Sequence, residues 1–155
     1  LKHKNHSRVA KMVLLSINHP QVLDFIRYKQ ERIEGLFKFN ASLIVHDDFM
    51  RAVQHGEYIH LRDGQRLDAA WLLDEISKNV HLHGDPGLLF MERLNQRNPA
   101  RHLGDYHSVA PCGELGMIHG ETCQFTYLNL YRFISNGDFL ILCCSCTFTA
   151  YFVAN

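Results

Sequence analysis

At 155 residues, the chain is at most one ordinary domain and is long enough to bury a core. Its 16 Lys and Arg balance its 16 Asp and Glu, so the composition gives no general surface for nucleic acid or anionic membranes. Five Cys is an odd number, and no secretion signal is visible, so we expect a reducing, cytoplasmic compartment rather than a disulfide framework.

Short strands and helices alternate in the first third of the chain. The apolar run from Met12 to Ile17 predicts a buried strand, and the alternation from Phe37 to Val45 predicts a second one. Between them, His19-Pro20 is predicted to begin a helix that Gly35 ends.

A short and a long helix are predicted in the middle of the chain. Asp47 is expected to cap a helix over Asp48 to His55, which Gly56 ends, and Tyr58 to Leu61 follows as an edge strand. The long helix runs from about Asp68 to His81. Its buried stripe is predicted to comprise Ala69, Leu72, Leu73, Ile76 and Val80.

After Gly84, which is expected to stop the long helix, the pattern is less regular. Asp85-Pro86-Gly87 predicts a turn, Leu88 to Leu94 a helix, and Asn95 to His107 a polar loop. Cys123 to Ile134 alternates as a strand would. Strands alternating with helices indicate the α/β class.

The motif Ala110-Pro111-Cys112-Gly113-Glu114 places a thiol near a carboxylate. Because proline favours extended geometry in the residue before it, we expect Ala110, Cys112 and Glu114 to share one face. Gly113 lacks a Cβ, so a second backbone or a ligand could approach there. A neighbouring carboxylate disfavours the thiolate. The pair therefore suits reactions in which the cysteine keeps its S–H bond and the carboxylate moves a different proton, such as hydrogen-atom transfer.

The motif resembles the Asn-Pro-Cys-Gly-Glu signature of the ribonucleotide reductase catalytic subunit. Cys123 and Leu128-Asn129-Leu130 follow it as in the family, and the gap between the two cysteines is similar to that of the short-spaced branch. Further similar blocks occur in family order between about Arg8 and Asp138. They are Ala10-Lys11-Met12-Val13 with His19-Pro20, Phe39-Asn40-Ala41-Ser42 with Asp48-Phe49-Met50, and Gly84-Asp85-Pro86-Gly87 with Arg93-Leu94-Asn95 and Asn98-Pro99.

The resemblance implies a fold and a domain division. Members of the family have a ten-stranded α/β barrel, so residues 1–139 are expected to form part of that barrel domain. Residues 140–155 lie outside the resemblance and form an apolar, Cys-rich tail that contains Cys143, Cys144 and Cys146. A frameshift, an intron read-through, a truncated gene model or a divergent strand would each account for the tail. It is shorter than the about 20 residues that cross a bilayer, so no membrane contact is predicted.

The resemblance also implies roles for the site residues. Cys112 would become the thiyl radical that removes the 3′ hydrogen of a bound ribonucleotide, and Glu114 would take the proton of the 3′ hydroxyl. Cys123 would be one half of the redox disulfide, with its partner cysteine upstream of Leu1 and missing from the chain. Ala110 stands where the family has a substrate-positioning Asn, and Gly113 lies beside it.

The implied cofactor is adenosylcobalamin, because the short cysteine spacing and Ala10-Lys11-Met12-Val13 are most similar to the branch that uses it. The alternative is the branch that takes its radical from a separate diiron or dimanganese subunit. The implied partners are a ribonucleoside di- or triphosphate, a thioredoxin- or glutaredoxin-like reductant, and a second subunit in a homodimer. No nucleic acid partner is expected.

Two other interpretations remain open. The chain could be a relic of a reductase gene, and as an incomplete fragment it is expected to be inactive alone. A zinc-binding module could instead use His81, His83 and His119 or the tail cysteines, although paired C-x2-C or H-x3-H ligand spacings are lacking. We therefore predict no metal site.

Overall fold

The computed structural model describes residues 10–30 and 39–123. The chain divides into two compact units, Leu1–His119 and Gly120–Asn155, and only residues 120–123 of the second unit are described. The strands are β1 (Met12–Ser16), β2 (Asn40–Ile44), β3 (Tyr58–His60), β4 (Arg66–Asp68), β5 (Gly87–Leu89), β6 (Ser108–Val109) and β7 (Gly116–Met117). The helices are α1 (Val22–Arg27), α2 (Asp47–His55), α3 (Ala69–His83) and α4 (Met91–Gln96).

Some sequence predictions lie outside the described residues. These are the strand over Cys123 to Ile134 beyond its first residue, the end of the first helix at Gly35, and the tail over 140–155. None of the helices in the described ranges combines the length and the apolar character that a membrane crossing requires.

A parallel sheet with the strand order β1-β2-β5 organises the first unit. β1 pairs with β2 from Met12 opposite Asn40 to Ser16 opposite Ile44. β2 pairs on its other side with β5, where Ser42 lies opposite Gly87. Parallel strands joined through helices are the expected arrangement of an α/β protein, and the predicted α/β class is confirmed.

β2 lies in the middle of this sheet and is buried on both faces. Ala41, Ser42 and Leu43 are all buried, as is Val45 just after the strand. Leu43 and Val45 belong to one core cluster with residues of α1, α2 and α3, whereas Ser42 is buried beside Gly87 of β5. The burial therefore does not alternate along the strand. The core that surrounds Leu43 includes Ile17, Val22, Ile26, Phe49, Leu72 and Ile76.

β5 replaces the beginning of a predicted helix. The sequence prediction placed a helix over Leu88 to Leu94, but Gly87–Leu89 is a strand and α4 begins only at Met91. A Cβ on Gly87 would lie 2.7 Å from the Ser42 hydroxyl oxygen, so a larger residue would require the Ser42 side chain to move. Pairing with β2 therefore determines the structure of these residues, and a short apolar run cannot reveal it.

α2 begins one residue earlier than predicted, and Asp47 is not its cap. His46 is the N-cap residue and makes no side-chain capping hydrogen bond. Instead, the Asp47 backbone N–H donates to Glu92 Oε2 of α4 at 3.2 Å, and Glu92 Oε1 lies 3.1 Å from His46 Nδ1. A carboxylate from a neighbouring helix thus supplies the acceptor at this helix N-terminus. Gly56 ends α2 with a φ of 66°, as predicted.

α3 is the long helix that the sequence predicts. The Asp68 side chain accepts a hydrogen bond from the Trp71 N–H at 2.8 Å, and Gly84 ends the helix with a φ of 78°. The prediction that Val80 belongs to the buried stripe is wrong, since 38% of its surface is exposed. Asn79 is buried in its place, and its side-chain amide donates to the Glu75 carbonyl at 2.9 Å.

α1 ends at Arg27, and turns follow at residues 28–30, so the predicted continuation of this helix through Lys29 is wrong. Tyr28 is buried at that point, and its hydroxyl lies 3.0 Å from Asp85 Oδ2 and 3.2 Å from the Phe39 carbonyl. Lys29 forms an ion pair with the same carboxylate. These contacts between distant segments outweigh the helical periodicity.

A buried leucine on the central strand allows a direct test of the core. We expect Leu43→Ala to lower the free energy of unfolding by about 2–5 kcal/mol, because Leu43 is 0% exposed and its removal leaves a cavity. Leu82→Ala is the control, because Leu82 is 68% exposed and its truncation should cost less than about 0.5 kcal/mol. Urea denaturation measures both values, and equal costs would contradict the assigned core.

The Tyr28 environment predicts a loss of stability at alkaline pH. Burial, followed by the charge of Asp85 and the hydrogen bond to it, raises the pKa of Tyr28 in the folded protein. A raised folded-state pKa means that the folded state holds the proton more tightly. This contribution is therefore complete below the unfolded value of about 10 and is lost as the pH rises above it.

We expect Tyr28→Phe to reduce the decline of unfolding free energy between about pH 10 and 11. The control is Tyr58→Phe, because Tyr58 is 53% exposed. This substitution should leave the decline of unfolding free energy unchanged. Urea denaturation at several pH values measures the slopes. Identical slopes for Tyr28→Phe and the unmodified chain would refute this role.

Candidate functional site

The cysteine motif lies in the loop of a β-hairpin. β6 and β7 pair antiparallel, with Val109 opposite Gly116, and the Ala110 N–H donates to the Leu115 carbonyl at 2.9 Å. Within the loop, the Gly113 N–H donates to the Ala110 carbonyl at 2.8 Å, which closes a β-turn with Pro111 as its second residue. The predicted extended geometry of this motif is therefore wrong. Proline at this turn position and a glycine two residues later favour the turn instead.

Gly113 is required by backbone conformation. Its φ of 79° lies in the left-handed region, which costs residues with a Cβ about 1–2 kcal/mol. A Cβ at this position would lie 3.9 Å from Leu89 Cδ2, which is an ordinary contact distance. The conformation of the turn, rather than a close approach to Gly113, explains why glycine occupies the position.

The turn brings Glu114 to the backbone of Cys112. Glu114 Oε2 accepts a hydrogen bond from the Cys112 N–H at 3.1 Å, and both residues are exposed. Cys112 forms no disulfide. The site therefore presents an accessible thiol, and a carboxylate held by the same residue's main chain. An exposed S–H and an exposed carboxylate can both reach a ligand in solution.

Asn40, the first residue of β2, holds the turn from the sheet. Its side-chain amide donates to the Pro111 carbonyl at 2.7 Å. Its own backbone is fixed by the strand ladder, since the Asn40 N–H donates to the Lys11 carbonyl at 2.8 Å. The central strand thus contacts the loop that carries Cys112.

Asn95 holds the segment that leads into the hairpin. Its side chain accepts from the Tyr106 N–H at 2.6 Å and donates to the Tyr106 carbonyl at 3.1 Å, as a paired strand would. A Cβ on Gly116 would lie 2.6 Å from the Tyr106 ring, so the ring packs directly on the backbone of β7. Asn98 is buried and stabilises the loop further by donating to the Gly104 carbonyl at 2.9 Å.

Ala110 cannot provide the amide found in the Asn-Pro-Cys-Gly-Glu signature. It is 0% exposed, and its N–H and carbonyl both form the hydrogen bonds of the hairpin loop. Its methyl group has no hydrogen-bonding capacity. The structure therefore gives Ala110 a packing role and a turn role.

Cys123 belongs to the second compact unit, whereas the other candidate residues belong to the first. It is half-buried and forms no disulfide. For the zinc alternative, His81 and His83 are exposed in the last turn of α3. Residues 10–30 and 39–123 contain no group of three or more His, Cys, Asp and Glu side chains placed to hold a metal ion. Cys143, Cys144 and Cys146 lie outside the described residues.

The ribonucleotide reductase barrel domain family matches residues 2–149, which is most of the chain. The chain belongs to this family. The reductase barrel accounts for the parallel sheet in the first unit and confirms the predicted fold class, a fragment of an α/β barrel.

Several relatives of this reductase barrel carry a functional name. A vitamin B12-dependent ribonucleoside-diphosphate reductase of Mycobacterium tuberculosis is 37% identical over 136 residues, which cover 84% of the chain and 20% of that protein. The protein of the same name from Thermoplasma acidophilum is 32% identical over 143 residues, covering 88% and 19%. A vitamin B12-dependent ribonucleotide reductase of Streptomyces clavuligerus is 27% identical, covering 83% and 16%. The chain spans about a fifth of the length of these relatives or less.

Sequence reasoning missed the roles of Asn40, Asn95 and Asn98 in the reductase barrel. All three occur in the blocks that resemble the family, so their positions were visible while their contacts were not. Each side chain contacts backbone at an irregular segment. The asparagine side chain can both donate and accept hydrogen bonds, which suits it to replace a missing backbone partner. This property of the residue type is the signal in the sequence that could have indicated these contacts.

The left-handed turn residue gives a test of the loop. We expect Gly113→Ala to lower the free energy of unfolding by about 1–2 kcal/mol, because alanine is disfavoured at positive φ. Gly113→Asn is the matched variant, since asparagine tolerates this region better and should cost less. Urea denaturation compares the two. A Gly113→Asn variant that is less stable than Gly113→Ala would contradict the assigned conformation.

Proposed function

We propose that the chain is the part of a ribonucleotide reductase that carries its hydrogen-abstracting cysteine, and that the whole enzyme reduces ribonucleotides to deoxyribonucleotides. The observation that supports this most is the hairpin loop, in which Cys112 is exposed and the Glu114 carboxylate is hydrogen-bonded to its N–H. Membership of the barrel family supplies the chemical context. The names of the Mycobacterium and Thermoplasma relatives support a ribonucleoside diphosphate as the substrate.

In this proposal Cys112 and Glu114 both act at the 3′ position of the ribose. The Cys112 thiyl radical takes the 3′ hydrogen atom, and Glu114 accepts the proton of the 3′ hydroxyl. The 2′ hydroxyl then takes up a proton and leaves as water. This proton and a second one come from a dithiol, which also gives two electrons to the sugar. Glu114 then returns its proton to the 3′ oxygen, and Cys112 returns its hydrogen atom to the 3′ carbon. Cys123 is proposed as one thiol of that dithiol, which becomes a disulfide in each turnover.

The exposed thiol of Cys112 fits the requirement of adenosylcobalamin chemistry, because an open S–H bond can give up its hydrogen atom to a radical source. When bound, adenosylcobalamin supplies a carbon radical by cleavage of its cobalt–carbon bond. Cys112 is the described residue that is proposed to react with it, because its thiol is free and exposed. The vitamin B12-dependent relatives support this cofactor over a separate diiron or dimanganese subunit.

We further propose a thioredoxin- or glutaredoxin-like reductant, since a disulfide formed in each turnover must be reduced before the next. Such reductants and free thiols belong to a reducing compartment, which supports the cytoplasm as the location. A homodimer of the complete enzyme is part of the same proposal.

A segment exchange tests the role of Cys112. Residues 2–149, which the barrel family matches, would replace the corresponding barrel segment of the Mycobacterium tuberculosis relative. Deoxyribonucleotide formation would be measured with adenosylcobalamin and a dithiol. We expect Cys112→Ser to reduce turnover to the uncatalysed background, because an O–H bond does not give up its hydrogen atom as an S–H bond does. Serine is nearly isosteric, so circular dichroism should show an unchanged fold.

Cys144→Ser is the matched control, because Cys144 lies outside the motif and has no assigned role. It should retain the turnover of the unmodified exchanged enzyme. Undiminished turnover in Cys112→Ser would refute the proposed function.

A further inference from the structure

One peptide group joins the two proposed catalytic residues to the central strand. The peptide between Pro111 and Cys112 accepts at its carbonyl from the Asn40 side-chain amide, at 2.7 Å. The N–H of the same peptide donates to Glu114 Oε2 at 3.1 Å. The peptide is planar, so its two ends cannot turn independently. Asn40 and Glu114 therefore hold one rigid group from opposite sides.

We infer that Asn40 is a positioning residue, which orients the Cys112 thiol and the Glu114 carboxylate through the Pro111–Cys112 peptide. This role in catalysis rests on the proposed function. Donation to the carbonyl polarises the peptide and strengthens the bond that its N–H gives to Glu114. Loss of the Asn40 amide should thus weaken the hydrogen bond between the Cys112 N–H and the Glu114 carboxylate, although the Asn40 and Glu114 side chains need not touch.

Asn40 is suited to this task because its backbone belongs to the sheet. It pairs with Met12 in the β1–β2 ladder, and its N–H donates to the Lys11 carbonyl at 2.8 Å. Its side chain is exposed, so the amide is not needed to fill the core. A side chain on a rigid strand fixes a loop more accurately than a residue on another loop.

Amide hydrogen exchange of the 155-residue chain, followed by NMR, tests the contact. We expect Asn40→Asp to speed the exchange of the Cys112 N–H about tenfold. The carboxylate has no proton to donate, so the hydrogen bond to the Pro111 carbonyl is lost. The exchange of the Leu43 N–H in β2 should not change. Gln54→Glu is the matched control, since it adds the same charge at an exposed position on α2.

The conservative variant separates positioning from a general structural role. Asn40→Gln keeps an amide donor and should restore at least part of the protection of the Cys112 N–H. Faster exchange at both Cys112 and Leu43 would show a general loss of structure and overturn the inference. Unchanged exchange at Cys112 in Asn40→Asp would also overturn it.

A measurement on the unmodified chain does not depend on how the variants fold. The Asn40 side-chain amide protons should exchange several-fold more slowly than those of exposed Gln54, because one of them is bonded to the Pro111 carbonyl. Equal exchange rates of the two side chains would overturn the contact.

The segment-exchanged reductase tests the catalytic consequence. We expect Asn40→Asp to lower kcat about tenfold or more and to leave KM within about twofold, because the thiol and carboxylate are misplaced while substrate binding is retained. An unchanged kcat would overturn the positioning role. If the exchanged enzyme with Asn40 intact made no deoxyribonucleotide, the proposed function would fail, whereas the exchange rates would still decide the contact itself.

Discussion

The pairing of β2 with a strand on each side is the constraint on which the rest of the first unit depends. It buries Leu43 in the core with residues of the helices, and it brings Gly87 close to the Ser42 side chain. The same strand begins with Asn40, which contacts the loop that carries Cys112. The strand β2 therefore contributes both to the core and to the candidate site. A change that shifts the register of β2 would disturb both, because a slip of one residue moves every side chain to the opposite face.

Three asparagines stabilise the irregular backbone beyond this sheet. Asn95 and Asn98 bind the chain between α4 and the hairpin, and Asn40 binds the turn itself. In each case a side-chain amide meets main-chain groups that no ladder satisfies. Buried or half-buried backbone groups need such partners, because leaving one unpaired costs about 1–3 kcal/mol. The loop can thus be irregular in shape and still be well defined.

The sequence predicts elements whose signals are local. β1 is an apolar run, β2 is predicted from alternation and α3 from its apolar stripe, and Gly56 and Gly84 mark the ends of α2 and α3. The failures are elements decided by distant contacts. β5 forms because its residues pair with β2, and α1 ends early where Tyr28 reaches Asp85 and Phe39. No pattern within a short window contains this information.

The same distinction applies to the site. The residue types of Cys112 and Glu114 can be read from the motif, as can the family to which the chain belongs. The turn that presents Cys112 has a local signal in Pro111 and Gly113. The bond from the Cys112 N–H to Glu114 and the contact of Asn40 with Pro111 could not be predicted from spacing. They depend on how a strand and a hairpin loop meet in the folded chain. The sequence therefore indicates which residues could react, but it does not indicate which contacts hold them in the folded chain.

The contact between Asn40 and Pro111 also bears on the order of folding. The two residues are separated by 71 positions, so their hydrogen bond closes a long segment of chain at a substantial cost in conformational entropy. Closing a long loop costs more conformational entropy than forming a local contact, so we expect this hydrogen bond to form after the local helices. We therefore expect the loop that carries Cys112 to gain its contact with Asn40 late in folding. In a nascent or partly unfolded chain, Cys112 lacks the turn and the Asn40 contact that are present in the folded chain.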